Sequence, residues 1–219
     1  PATEYADYKF FSFAEDDVLC EAIYTYQITL VARFLKNAGA FPKYDTFMEE
    51  FGNIAPYLIK AKDAQDERCA AMAEDFKDTD YHMVIGSGML WGEAYDYAMC
   101  ILEEMQWKRT RYITSADFFH GTLELVEPGV PVFLFMGEDE NRKLDERVRA
   151  FLTRGVTGDT DINVIDTAEF AIPGLDDEFR VIVSPWILSS LITDRLAAYY
   201  ETVTKHNLNY RRYYHQFDY

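Results

Sequence analysis

Two runs apolar at nearly every position, YHMVIG at 81–86 and PVFLFM at 131–136, constrain this chain more than any other feature. A strand with one face in water alternates apolar and polar residues. A strand that is apolar at nearly every position is covered on both faces, as in a parallel sheet flanked by helices. The sequence around the two runs agrees. Leu90, Ala94, Tyr97, Ala98, Ile101 and Met105 recur at helical steps, and Arg111 to Thr114 reads as a short strand. Asp139 or Glu138 is placed to cap a helix through about Thr153, and Ile162 to Ile165 is a further strand. Arg180 to Val183 reads as another, with Ser184-Pro185 then opening a long helix to about Lys205. Strands alternating with helices predict an α/β fold with a mostly parallel sheet.

The first third of the chain reads differently. Tyr8 to Phe13 is expected to be a strand. Asp16-Asp17 then opens a helix to Lys36 or Asn37 that is apolar nearly all round and is therefore expected to be buried on two sides. Asn37-Ala-Gly39 and Pro42 stop it. From Tyr44 to Lys77 the pattern is helical and charged, divided by Gly52-Asn53 and Pro56, with Cys69, Ala70, Met72, Ala73 and Phe76 opposite a solvated face. The expected division is residues 1–78, residues 79–206 and a tail from residue 207. Ser189, Ser190 and Thr193 fall inside the last long helix and read as packing.

The formal net charge is −17, which argues against nucleic acid and anionic membranes as partners. Three widely spaced cysteines match no zinc site or disulfide framework, so a reducing, cytoplasmic setting is expected. No signal peptide is visible, and no apolar run is long enough to cross a bilayer. No metal or cofactor is expected.

Two groups that can move protons, Glu104 and His120, flank the Arg111–Thr114 strand. Glu93, Asp96, Cys100 and Glu103 share a polar helix side, but Glu104 falls on the apolar stripe, in the last turn, where burial and the helix dipole both disfavour its charge. That suits a general base. A side chain at the edge of such a stripe can equally bend out to solvent. Ser115 or Asp117 is placed to cap a turn carrying His120, with Gly121 turning the backbone behind it. Ser87 and Gly88, in a Gly-Ser-Gly loop between strand and helix, could hold an anion on backbone N–H groups or could form a simple tight turn. The tail holds five aromatics with Arg211, Arg212 and His215, too aromatic for a disordered end, so it should dock on the body or on a partner chain. Its two arginines are candidates either for a substrate anion or for surface carboxylates.

Several of these stretches coincide with one family. Ser115-Ala-Asp-Phe-Phe-His-Gly121, followed by 123–131 (LELVEPGVP), resembles the Ser-Gly-Glu-Phe-x-His-Gly-Pro segment of sugar isomerase (SIS) domains. The ending Arg211-Arg-Tyr-Tyr with Asp218-Tyr219, and Met105-Gln106-Trp107 after Glu104, resemble the fructosamine 6-phosphate deglycase branch. The resemblance implies a SIS-type, flavodoxin-like fold preceded by the end of a first SIS domain. It implies cleavage of a phosphorylated fructosamine by water, giving glucose 6-phosphate and a free amine or amino acid. Glu104 would be the general base and His120, from a neighbouring subunit, the general acid. At least a homodimer follows, and the tail would lie over the site or interface. Ser87, Gly88, Arg211 and Arg212 are then the substrate-binding candidates. Asp117 and Thr122 depart from the family's Glu and Pro. The family's phosphate loop lies in its first SIS domain, so the chain is expected to begin inside that domain and to be inactive by itself. Two alternatives stay open: the isomerase half of a glucosamine-6-phosphate synthase, which has a Lys where this chain has Ile101, and a non-catalytic sugar-phosphate sensor.

Overall fold

A computed structural model describes residues 2–9, 20–155 and 161–218. The expected strand at 8–13 and the helix opening at Asp16-Asp17 lie largely outside them. The chain divides into two compact units, Pro1–Tyr44 and Asp45–Tyr219.

In the first unit, helix α1 (Cys20–Asn37) ends as expected. Gly39 takes a left-handed φ of +73°, and the Ala40 N–H returns to the Leu35 carbonyl at 2.9 Å. The expectation of burial on two sides is corrected. Only Ala32 is buried, while Leu30 and Phe34 are 72% and 70% exposed. An apolar circumference marks a surface suited to burial without specifying what covers it.

The second unit is built on four parallel strands, β1 (Tyr81–Gly86), β2 (Arg109–Ile113), β3 (Val132–Met136) and β4 (Ile162–Asp166), in the order β2-β1-β3-β4. This is the α/β parallel sheet the apolar runs require. Side chains alternate between two covered faces. Met83, Ile85, Val132, Leu134 and Met136 pack with Phe118, Val148 and Leu152 on one side. On the other, Phe133 meets Phe76 and Tyr97 at ring separations of 6.0 and 5.6 Å. Each such side chain contributes about 1.5–3 kcal/mol by leaving water.

Helices α2 (Tyr44–Phe51), α3 (Ala55–Ala64) and α4 (Asp66–Phe76) pack on the C-terminal helices of this unit. Phe47 lies against Phe179 and Phe51 against Trp186, at 5.2 and 5.6 Å. Arg195 joins Asp66 at 2.8 Å and the Lys62 carbonyl at 3.0 Å. After β1 the chain enters α5 (Trp91–Tyr95) and then a wide π-helical segment, Asp96–Met105. Helix α6 (Ser115–Phe118) follows β2, and α7 (Arg142–Leu152) follows β3. Asp139 or Glu138 was expected to cap α7, but Glu138 is held by Arg180 at 2.6 Å and Asp139 makes no cap. Instead one of its oxygens takes the Asn141 N–H at 2.7 Å, and the other reaches back to Met89.

The expected strand Arg180–Val183 is instead part of α8 (Asp177–Leu188), which runs through a π segment (Ser189–Thr193) into α9 (Asp194–Thr204). Asp176, with its carboxylate on the Glu178 N–H, starts the helix eight residues before Ser184. Pro185 sits inside the helix rather than at its start. It cannot donate to the Val181 carbonyl, and the buried Ser184 hydroxyl does so instead at 3.0 Å. The local conflict is thus satisfied by a side chain. Because the helix is unbroken, Asp177–Thr204 is long and apolar enough by composition to cross a bilayer, but 67% of its apolar window is buried inside the protein. The serines and threonine of its π segment are buried, as expected of packing residues.

Candidate active site

Glu104 sits in the last turn of the π segment, beside the start of β2. Residue spacing at 3.6 per turn puts it on the apolar stripe. The wider π turns shift that phase: Gln106 N–H bonds the Ile101 carbonyl five residues back, at 3.1 Å. Tyr97, Ala98, Ile101 and Leu102 are buried, and the Glu104 side chain emerges 37% exposed. Expected burial of this carboxylate is therefore corrected. What holds it is an ion pair: Arg211 Nη2 donates to Glu104 Oε1 at 2.9 Å.

That pair exists because the tail folds back on the helix–strand corner. Lys205 ends α9 in the left-handed region, at φ +58°. Thr204 then donates to Gln106 Oε1 at 3.2 Å, and Gln106 donates to the His206 carbonyl at 3.3 Å. His206 packs edge-on against Trp107 at 4.4 Å. Trp107 itself has φ +57°, a cost of about 1–2 kcal/mol for a residue with a Cβ, and it presents its indole to the tail. The Arg212 guanidinium lies 4.1 Å from that ring's centre. Arg211 is tied down by the Leu208 and Tyr210 carbonyls at 2.6 and 2.9 Å.

Together Glu103, Glu104, Trp107, Lys108, Arg211, Arg212, Tyr213 and Tyr214 line a pocket of about 380 Å³. Its two carboxylates are already engaged, Glu103 by the Thr110 hydroxyl and Glu104 by Arg211. Lys108 donates to the Lys77 and Thr79 carbonyls at 2.8 and 2.7 Å, and its burial pulls its pKa down. Three cations and two carboxylates line this corner in a chain of net charge −17. Of the lining residues, the sequence singled out Glu104, Arg211 and Arg212. Trp107, Tyr213 and Tyr214 entered only through the stretches that resemble the deglycases, and Lys108 carried no signal.

His120 lies at the other end of β2. Thr114 caps the turn, its hydroxyl accepting the Asp117 N–H at 3.1 Å. The expected cap at Ser115 or Asp117 is corrected: Ser115 donates instead to buried Asp145 at 2.6 Å, and the Asp117 carboxylate accepts the Thr114 hydroxyl at 2.8 Å. His120 is exposed, and Gly121 has φ +151° behind it. Glu104 precedes β2 and His120 follows it. The five-residue strand between them is about 13 Å long at ~3.3 Å per residue. The two groups of one chain therefore stand at opposite ends of this edge strand.

Ser87 and Gly88 are not brought to Glu104 either. They sit at the end of β1, where the helix begins. Ser87 Oγ accepts the Ser115 N–H at 2.8 Å, and Met89 N–H donates to Asp139 Oδ2 at 2.6 Å. Gly88, at φ +55°, is so close that a Cβ there would lie 2.1 Å from Asp139 Oδ2. The loop is thus filled by the chain's own carboxylate.

The sequence placed Glu93 on a polar helix side, but it is 5% exposed. Burial, then the charges of Asp96 and Asp194, push its pKa up to about 8 against a hydrogen bond from Ser189, and its Oε2 has no partner. His82 is also buried. Its Nε2 is 2.9 Å from the Tyr200 hydroxyl, and burial with the Lys108 charge lowers its pKa to about 3.

No family model matches this chain. It is 28% identical over 174 residues to fructosamine deglycase FrlB of Bacillus subtilis strain 168, covering 78% of this chain and 51% of that protein. It is 27% identical over 194 residues to the fructoselysine 6-phosphate deglycase of Escherichia coli K12, covering 87% and 52%. The chain thus spans about half the length of the curated relatives it matches. A solved Salmonella typhimurium LT2 structure assigned as a phosphosugar isomerase superposes at a TM-score of 0.84, with 27% identity over 99% of this chain and 67% of that one. The fold is that of the SIS phosphosugar isomerases. Within that class, the resemblance to the fructosamine deglycases read from the motifs stands.

Proposed function

We propose that this chain supplies the catalytic part of a fructosamine 6-phosphate deglycase. The observation that carries the reading is the Glu104 carboxylate held by Arg211 in a pocket closed by the folded-back tail, in a chain similar to named deglycases. An Amadori substrate has its carbonyl at C2 and its amine on C1. Glu104 takes a proton from C1, giving an enaminol, and returns it to C2, giving an imine at C1. Water adds at C1, the C–N bond breaks, and glucose 6-phosphate leaves as the aldehyde. His120 gives the departing amine its proton. Because Glu104 and His120 of one chain lie at opposite ends of β2, His120 comes from a second copy. Arg211 holds the base in place and Arg212 faces the bound molecule. Ser87 and Gly88, filled by Asp139, contribute only if that carboxylate withdraws. The setting is a cytoplasmic homo-oligomer of at least two chains, with no metal or cofactor required.

The test is a coupled glucose 6-phosphate assay on the full-length protein with a panel of phosphorylated fructosamines. Turnover of at least one is expected, with losses of 100-fold or more (roughly, for an acid–base group) in Glu104→Gln and His120→Ala. Formation of glucosamine 6-phosphate from fructose 6-phosphate and ammonia, with no deglycation, would transfer the chain to the synthase-type reading.

A further inference from the structure

Resting on that proposed function, we infer that Asp145, acting through Ser115, positions His120 for proton transfer. Asp145 is 1% exposed and therefore out of a substrate's reach. The His120 imidazole is exposed and bonds no other described residue, so the turn that carries it sets its place. That turn begins with the four residues of α6, too short a helix to hold itself. Its internal bonds close it. The Asp117 N–H donates to the Thr114 hydroxyl at 3.1 Å, and the His120 N–H to the Asp117 carbonyl at 2.9 Å. These bonds do not fix how the turn sits on the sheet. Ser115 does that. Its N–H donates to Ser87 Oγ at 2.8 Å and its hydroxyl to Asp145 Oδ1 at 2.6 Å, and all three residues are buried.

Asp145 collects more than Ser115. Its second oxygen takes the Gly137 N–H at 3.4 Å, and the Ser87 hydroxyl adds a further bond. Ser87 follows β1, Ser115 follows β2 and Gly137 follows β3, so one carboxylate ties together the C-terminal ends of three parallel strands. Burial works against its charge, and the bonds from Ser115, Gly137 and Ser87 work for it. Packing does not require such a group, because packing is supplied separately: Phe118 is fully buried and lies 5.7 Å from Phe151. A ring plugged into a core resists withdrawal of the turn. Directed hydrogen bonds at Ser115 also fix its rotation, and with it the direction of the imidazole five residues on. Asp145 is a positioning residue and takes no part in moving protons.

A site shared between two chains separates a positioning role from a merely structural one. When full-length Glu104→Gln and His120→Ala chains pair, the rebuilt site takes its His120 from the Glu104→Gln chain. Asp145→Asn, which keeps the side chain's shape but turns one acceptor into a donor, is added to one chain or to the other. On the Glu104→Gln chain, in cis to the working His120, it should cut the recovered glucose 6-phosphate release about ten-fold, since misplacing a catalytic group by ~1 Å can cost about 100-fold. On the His120→Ala chain it should leave that release within about two-fold. Equal losses from the two placements, or no loss from either, overturn the inference. Ser115→Ala cuts the same bond from the other side and repeats the comparison should Asp145→Asn fail to fold. If the pair without Asp145→Asn recovers no activity, the shared-site reading fails separately, and amide hydrogen exchange decides the matter. Asp145→Asn should then speed exchange of the Asp117, Phe118 and His120 N–H groups about ten-fold or more, and leave Val84 and Ile85 in β1 within about two-fold. Unchanged exchange in the turn, or an equal rise in turn and strand, overturns the inference.

Discussion

Replacing Glu93 by Gln should make the protein more stable, and increasingly so as pH rises. Glu93 is 5% exposed and one of its oxygens has no partner, so ionising it in place means desolvating a charge. Burial first, and then Asp96 and Asp194, move its pKa from 4.5 to about 8. The folded state therefore holds a proton that the unfolded chain releases above pH 4.5. A group whose folded pKa is raised contributes stability that is fully present below its unfolded pKa and is lost as pH climbs through the folded one. At about 1.36 kcal/mol per pH unit, the wild type should lose about 2 kcal/mol between pH 6.5 and pH 8 through this residue alone. Gln has the shape of the neutral acid and no charge to desolvate. Urea denaturation of both proteins at pH 6.5 and 8 reads the effect directly, as a stability gap that widens by about 2 kcal/mol in favour of Glu93→Gln. Parallel pH profiles, or a variant uniformly less stable than the parent, would show that Glu93 is ionised in the folded protein and that its burial is matched by a partner.

Ser184→Ala should cost about 1–2 kcal/mol by orphaning the Val181 carbonyl, yet cost almost nothing in a Pro185→Ala background, where a backbone N–H takes over; equilibrium denaturation of the four proteins in the cycle decides it. Gly88→Ala should destabilise by about 2–4 kcal/mol, combining a strained left-handed Ala with a displaced Asp139 carboxylate, and adding Asp139→Ala should cost less than the sum, again read by denaturation. His82, with its pKa lowered to about 3, contributes stability present above pH 6.5 and lost as pH falls toward 3. The stability difference between wild type and His82→Gln should therefore shift against the wild type by about 1.4 kcal/mol per unit of acidification across that window, measured by urea midpoints.

The parallel sheet was legible because strands apolar at nearly every position admit few other arrangements, and the docking of the tail on the body was legible in its aromatic content. Errors arose where local chemistry overrode a periodic pattern. Val181, Ile182 and Val183 are β-branched and precede Ser-Pro, so Arg180–Val183 reads as a strand before a helix start. The Asp176 cap and the Ser184 bond to Val181 that make it helical are single contacts with no periodic signal. The π-helical segment is invisible to a 3.6-residue wheel. That is why spacing puts Glu104 inside although it emerges 37% exposed; Glu93 lies in the α turn before it, between buried Leu90 and Tyr97 at three- and four-residue steps, and is buried with them. Arg211 and Arg212 could be named as candidates but not told apart. Only the fold-back of the tail assigns one to Glu104 and the other to Trp107.

The central claim is that Glu104 of one chain works with His120 of another. It is tested by mixing the full-length Glu104→Gln and His120→Ala variants, each inactive alone, under conditions that exchange subunits. In a two-fold assembly, half of the chains pair as hybrids and each hybrid rebuilds one intact site, so about a quarter of wild-type glucose 6-phosphate release should return. If the mixture stays as inactive as its parts while subunit exchange is verified, the two groups do not meet across an interface and the account is wrong.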